Sequence, residues 1–308
     1  MFRDRGALAL VTTTRSAAVA RPLVGIVFIC ATTSMVPFMD AIAKHLSAAL
    51  PITEILWARY IFHLMILLPV VLWRHGFRQL RPAQPLLHAI RGTILVTSTG
   101  CFFVAISRMA IADALSLLFV APLVVTALSP VLLGERVGAR RWTAVGVGFL
   151  GALIIMRPGL GVFQEASLWA LAAGLGYALF IIVTRKLSGQ SPPLVTLTTT
   201  AIFGVIATTA IVPFDWVPPS SAQWVLLVGM GVIVFVSDLL FIKAFDHASA
   251  ASLAPILYFE IVASTFVSYV FFNDFPDRWT WLGVSIVIAS GVYISVRERR
   301  GACVPSGA

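Results

Sequence analysis

Charge is what this chain has least of. Only 11% of its 308 residues are Asp, Glu, Lys or Arg, against about a quarter in a soluble domain. A soluble fold of this length could not cover its surface with so little charge, which excludes that class. Cysteine is scarce too. Cys30 and Cys101 fall in apolar stretches and Cys303 near the chain end, with no disulfide or metal-type spacing. No G-x-x-x-x-G-K-[ST], H-E-x-x-H or G-x-S-x-G motif occurs, so these nucleotide, zinc and serine chemistries lack their residues. The five histidines (His45, His63, His75, His88, His247) are scattered.

What fills the chain is apolar. Hydrophobic residues make up 59%, and the mean hydropathy is +0.96. A helix needs about 20 mostly apolar residues to cross the hydrocarbon. Ten runs qualify, at 23–43, 54–73, 88–106, 112–133, 142–156, 167–184, 195–213, 223–244, 250–272 and 279–296. The breaks between them carry Pro, Gly or clustered charge, as in GQSPP (189–193) and NDFPDR (273–278). The reading is an all-α integral membrane protein of ten transmembrane helices. A tail at 1–22 precedes them, residues 157–166 connect two halves, and 297–308 form a second tail. Residues 1–21 hold too brief an apolar run for a signal peptide.

Loop charge orients the spans. Most Lys and Arg, including Arg3, Arg5, Arg74, Arg91, Arg140, Arg141 and Arg297, fall on the N-terminal side, while Lys44, Arg108, Arg157 and Arg278 fall opposite. The positive-inside rule then places both termini in the cytoplasm. The +9 net charge is explained by that topology and requires no nucleic-acid partner. The expected partners are the lipid bilayer of the bacterial inner membrane and a small-molecule solute; a homodimer stays open.

The halves resemble each other. RWTAVGVGFLGALI (141–154) lies over RWTWLGVSIVIASG (278–291), and KHLSAALP (44–51) over RKLSGQSP (185–192). The shift runs from 137 residues (Arg141 to Arg278) to 141 (Lys44 to Arg185), so each half holds five spans. An odd number inverts the second copy in the membrane. Inverted repeats of five plus five build the central site of many secondary transporters. GVGFLG (146–151) matches the dinucleotide fingerprint, yet it lies inside a span, with no preceding strand. No cofactor is expected. Gly146, Gly148 and Gly151 read instead as helix packing, with Ala144, Gly148 and Ala152 forming a small-residue seam.

Polar residues at membrane depth carry the functional expectations, because an ionisable group there is costly unless paired or hydrated. Glu260 lies mid-span, with Tyr258 near it and Pro255 one turn earlier. It reads as a substrate or proton site, or else as a structural hydrogen-bond partner. Asp238 is too far around its helix to pair with Lys243; it needs a partner elsewhere and is placed to share a proton with Glu260. Arg59 reads as an anion anchor or a snorkelling helix-end residue. Asp40, Glu54 and Asp113, nearer span ends, read first as solvated. Tyr177 and Tyr258 sit deep enough to line a pathway, whereas Trp57 and Trp169 suit the interfacial belt.

FVAPLVVTALSPVLLGERVGARRWTAVGVGFLGALIIMRPG in the first half and LAPILYFEIVASTFVSYVFFNDFPDRWTWLGVSIVIASGVYI in the second resemble the paired EamA domains of the drug/metabolite transporter superfamily. Gly134 and Glu135 match a pair typical of that family; Asn273 and Asp274 in the second half keep the acid and lose the glycine. The resemblance implies ten helices, both termini inside, and a cavity lined by spans 1, 3, 4, 6, 8 and 9. That places Asp40, Tyr177, Asp238, Tyr258 and Glu260 on its wall and argues less directly for Arg59. It implies a carrier without enzymatic activity. The wording is similar to that of riboflavin and S-adenosylmethionine carriers, and the expectation leans towards riboflavin uptake, with amino acids or a metallophore as alternatives. A membrane-embedded transferase would need acids or histidines clustered at one interface, and the acids here are dispersed.

Overall fold

Proline, glycine and polar caps decide where each apolar run becomes a helix in the computed structural model of the protein. The structure describes residues 22–76, 84–134, 137–156, 165–187, 192–248 and 250–302; the expected N-terminal tail, Glu135, the loop at 157–164 and the chain end from Cys303 lie outside them. The helices are α1 (Pro22–Leu46), α2 (Ile52–His75), α3 (Pro85–Ile106), α4 (Ile111–Leu118), α5 (Ala121–Leu132) and α6 (Ala139–Met156). The second half adds α7 (Glu165–Lys186), α8 (Pro193–Thr209), α9 (Ser221–His247), α10 (Ala250–Leu257), α11 (Phe259–Phe272) and α12 (Arg278–Ala302). Among the described residues, nine stretches are long and apolar enough to cross a bilayer, and Arg278–Ile294 adds a shorter one.

Starts and stops follow local chemistry. Pro85 and Pro193 open α3 and α8, where the missing N–H costs nothing. A capping box opens α9: Gln223 N–H donates to Ser220 Oγ at 3.3 Å, and Ser220 N–H to Gln223 Oε1 at 2.7 Å. After α5 the chain turns at Gly134 (φ 70°), and after α11 at Asn273 (φ 56°). These are equivalent positions of the repeat. Asparagine tolerates the left-handed conformation, so losing the glycine preserves the turn. The retained acid, Asp274, accepts from Lys44 Nζ at 2.8 Å, and Lys44 also donates to the Met109 carbonyl at 2.9 Å.

Three expectations need correction. The fourth and ninth spans are not continuous helices. The chain turns at Phe119 and Val120 between α4 and α5, where Pro122 has no N–H for the Leu118 carbonyl. It turns again at Tyr258 between α10 and α11, one turn after Pro255. Second, Arg91, counted with the loop charges although it falls inside the span at 88–106, is a helix residue only 4% exposed, in a helix that starts at Pro85. Third, Gly146 packs against nothing: an added Cβ would meet no atom within 4 Å.

The most extensive helix contacts join the two halves: α1 with α9, α3 with α7, and α6 with α12. At the last of these the backbones touch. A Cβ on Gly151 would lie 2.9 Å from the Gly283 carbonyl oxygen, and one on Gly283 would lie 2.6 Å from that of Gly151. At Gly148 the obstacle is the Leu123 side chain, which can rotate away. Gly151→Ala and Gly283→Ala should therefore each destabilise by about 1–3 kcal/mol, the usual overpacking range. Gly148→Ala should cost less, and Gly146→Ala nothing. Melting of detergent-purified variants checks the order, and equal losses at Gly146 and Gly283 would contradict the crossing.

Candidate functional site

The helix geometry turns several dispersed polar residues towards one interior region. Call the end where α1 starts the near end and the opposite end the far end. Asp40 lies in the far half of α1, one turn after Pro37 has opened the helix ladder. It is only 2% exposed, so the solvated reading of this residue is overturned. Glu260 is the second residue of α11. The break at Tyr258 therefore puts it in the first turn of a half-helix, an end that favours negative charge. The two acids interact electrostatically with each other, and Asp40 also interacts with the Arg59 guanidinium on α2. Asp238 is thus not the acid nearest in influence to Glu260; Asp40 is.

Arg59 is the unsettled member. Its Nε and Nη1 are buried and have no hydrogen-bond partner among the described residues, and no carboxylate lies at ion-pair distance from it. Buried donors are normally satisfied, and an orphaned one calls for a missing partner. Tyr177 supplies the evidence of space. On a 3.6-residue helix it shares a face with Ala166, Ala170, Ala173 and Thr184, all packed inside. It is nevertheless 37% exposed, so its ring is not closed in by neighbouring side chains. Tyr177 interacts with Glu260, Asp238 and Arg91.

Arg91 is the buried charge that sequence reasoning missed. Its Nε donates to Thr184 Oγ1 on α7 at 2.8 Å, and its Nη1 to the Thr196 carbonyl on α8 at 3.2 Å and to Thr200 Oγ1. The guanidinium lies 4.5 Å from the centre of the Phe180 ring. Nearby, the His88 ring Nδ1 and Thr199 Oγ1 are 3.1 Å apart. The partner that Asp238 needed is His63 on α2, with Nε2 3.2 Å from Oδ2. Pro85 was the available signal for Arg91, since proline marks a first helical turn. Nothing in the sequence pairs His63 with Asp238, because their meeting depends on tertiary packing.

The remaining candidates fall elsewhere. Tyr258 is buried against Phe119, with ring centroids 5.0 Å apart. These are equivalent positions of the repeat, so the two helix breaks meet in the core, and Tyr258 is not an open wall residue. Glu54 is also buried rather than solvated: its Oε2 accepts from Val217 N–H at 3.1 Å and holds the loop before α9. Trp57 and Trp216 pack edge to face beside it. Asp113 is half-buried. An apolar groove of about 640 Å³ lies between α1, α9 and α11, lined by Met35, Phe38, Ile42 and Phe271 among others. His45 is the one titratable side chain in its lining, and none of Asp40, Arg59, Asp238 and Glu260 is part of it. Among the described residues no His, Cys, Asp or Glu cluster suits a metal.

With that geometry in place, the chain can be compared with known proteins. The sequence model of the EamA-like transporter family matches residues 23–157 and again 164–296. An S-adenosylmethionine uptake transporter of Rickettsia prowazekii is 27% identical, over 85% of this chain and 88% of its own. A riboflavin transporter of Vibrio cholerae is 28% identical over 91% and 95%. The pseudopaline exporter CntI of Pseudomonas aeruginosa is 29% identical over 85% and 92%. A solved crystal structure of a protein only 18% identical superposes with a TM-score of 0.61 over 90% of this chain and 97% of that one, a likeness of fold.

Proposed function

The chain belongs to the EamA-like transporter family, and we propose that this membrane transporter carries a zwitterionic metabolite with an extra cationic centre, of the S-adenosylmethionine class. The observation that carries the reading is the split charge of the interior. Asp40 and Glu260 offer two carboxyl groups that a cation would favour in their charged form, and Arg59 offers buried, unpartnered N–H donors within electrostatic reach of Asp40 and at ion-pair distance from neither acid. A solute with an α-carboxylate for Arg59 and two positive centres for the acids complements that arrangement charge for charge. S-adenosylmethionine has this composition: one carboxylate, one ammonium and one sulfonium. Keeping three ions away from water is costly, and a charged ligand offsets that cost where a neutral one does not.

A second reading, riboflavin, rests on the aromatic surface of Phe119, Tyr177 and Phe180 and on the Vibrio relative. It gives the neutral flavin no use for Arg59. Either solute would cross by alternating access, the two inverted halves rocking about the shared site.

Liposomes holding the purified protein test the proposal. Preloading them with unlabelled S-adenosylmethionine should drive accumulation of the labelled compound, recovered chemically unaltered, and excess riboflavin should not compete. Competition by riboflavin, with no counterflow of S-adenosylmethionine, would favour the second reading. The orientation proposed for the bacterial inner membrane has both termini in the cytoplasm, from the loop charges. Reporter fusions after Gly76 and Arg300 should then report cytoplasm, and fusions after Leu50 and Pro219 the opposite side. A periplasmic signal at Arg300 would refute this orientation.

A further inference from the structure

The solute reading leaves one buried polar pair unused. The two halves of the molecule meet along α2–α9 and along α3–α8, contacts that exchange under the repeat. Across α3–α8 the bridge is a permanent charge, Arg91 to Thr196 and Thr200, supported by His88 and Thr199. Across α2–α9 the bridge is titratable, with His63 Nε2 3.2 Å from Asp238 Oδ2. We propose that the His63–Asp238 pair is the proton-binding site of this carrier and that its protonation couples to the contact between α2 and α9.

Access, chemistry and position each support the assignment. His63 is only 6% exposed, whereas the Asp238 side chain is 32% exposed, so the carboxylate is the more accessible member of the pair. His63 Nε2 makes no aligned hydrogen bond. Without a proton it presents a lone pair to a carboxylate; with one it becomes an N–H donor to that carboxylate, a charge-assisted bond across the two halves. The proton is simply bound at Nε2 and no other bond changes. Histidine is the side chain whose ordinary ionisation falls near neutral pH. The pair also sits beside the closest approach of the two helices: a Cβ on Gly231 of α9 would strike Phe62 and lie 3.0 Å from His63 N.

The surrounding charges connect the pair to the solute. Arg91 and Tyr177 face Asp238 from α3 and α7, and His88 on α3 is the other buried imidazole nearby. α8 carries no ionisable side chain. On α2 itself Arg59 lies one turn before His63, on the same helix face. A proton on His63 therefore adds positive charge one turn from the proposed carboxylate anchor, so proton and solute sense each other.

The inference rests on the carrier reading but not on the identity of the solute, and two measurements keep these apart. In proteoliposomes, net uptake of labelled S-adenosylmethionine by the wild type should respond to an imposed pH gradient. His63→Gln should lose that response while retaining counterflow exchange. A His63→Gln protein with the full gradient response overturns the proposal, as does a wild type that ignores the gradient. The second measurement needs no solute: the histidine-ring NMR signals of the purified protein. The resonance missing in His63→Gln should move with pH, along a curve displaced in Asp238→Asn. A His63 signal static from pH 5 to pH 9, or one indifferent to Asp238→Asn, overturns the assignment even if S-adenosylmethionine is not the solute.

Discussion

Arg59→Gln should abolish counterflow of S-adenosylmethionine while leaving the protein folded. Glutamine keeps much of the length of the side chain and retains a donor, but it removes the one positive charge that Asp40 senses on α2. In the solute-bound state the variant would bury an α-carboxylate with no counter-ion. Breaking one side of a buried charge pair costs about 3–5 kcal/mol, or roughly two to four orders of magnitude in affinity. The empty protein should lose little, because Arg59 Nε and Nη1 make no hydrogen bond within the described structure. Size-exclusion profiles and melting temperatures would then match the wild type while counterflow falls to background. Retained counterflow would remove Arg59 from the site. Loss of folding together with transport would make it a structural residue.

Arg91 should behave in the opposite way. Arg91→Lys is expected to destabilise the protein more than Arg91→Met, although lysine keeps the charge. The planar guanidinium reaches Thr184 on one side and Thr196 and Thr200 on the other while lying over Phe180. An ammonium cannot span those partners or stack flat. Lysine would leave a buried charge short of hydrogen bonds, a penalty of up to about 3–5 kcal/mol by the measured cost of stranded buried ions. Methionine strands little, because the Thr184 and Thr200 hydroxyls already donate to Phe180 and Thr196 carbonyls at 2.6 and 2.8 Å. Thermal melting of the purified variants in detergent checks the order. Arg91→Met melting below Arg91→Lys would mean that the charge itself, through Asp238, holds the helices together.

The contrast between these arginines also marks how far the sequence could be read. The spans were legible because hydrocarbon demands long apolar runs whatever the tertiary fold, and the inverted repeat was legible from RWT at both 141–143 and 278–280. Asp238 and Glu260 stood out because a carboxylate in mid-span is costly without a role. Asp40 and Glu54 were misread because distance from a span end does not report burial in a bundle: neighbouring helices cover both. Arg91 was counted with the loop charges because it lies near the start of the span at 88–106, while the helix starts earlier, at Pro85, and neighbouring helices bury it. Gly146 misled for a related reason. Spacing places glycines along a helix, but only the neighbour shows which of them meets another backbone, and that neighbour is Gly283 against Gly151. The breaks at Phe119 and Tyr258 were half visible, through Pro255. Their contact with each other follows from the two-fold relation and could not be read from either span alone.

The central claim is that a fixed pattern of two acids and one guanidinium selects a solute by charge. Equilibrium binding of S-adenosylmethionine and of its demethylated thioether tests it most directly, because the two differ by one methyl group and one positive charge. The wild type should bind the sulfonium at least tenfold more tightly, on the order of 1.4 kcal/mol or more for one charge held by a buried acid. In Glu260→Gln that preference should shrink towards unity. Equal affinities in the wild type, or tighter binding of riboflavin than of either compound, would contradict the account.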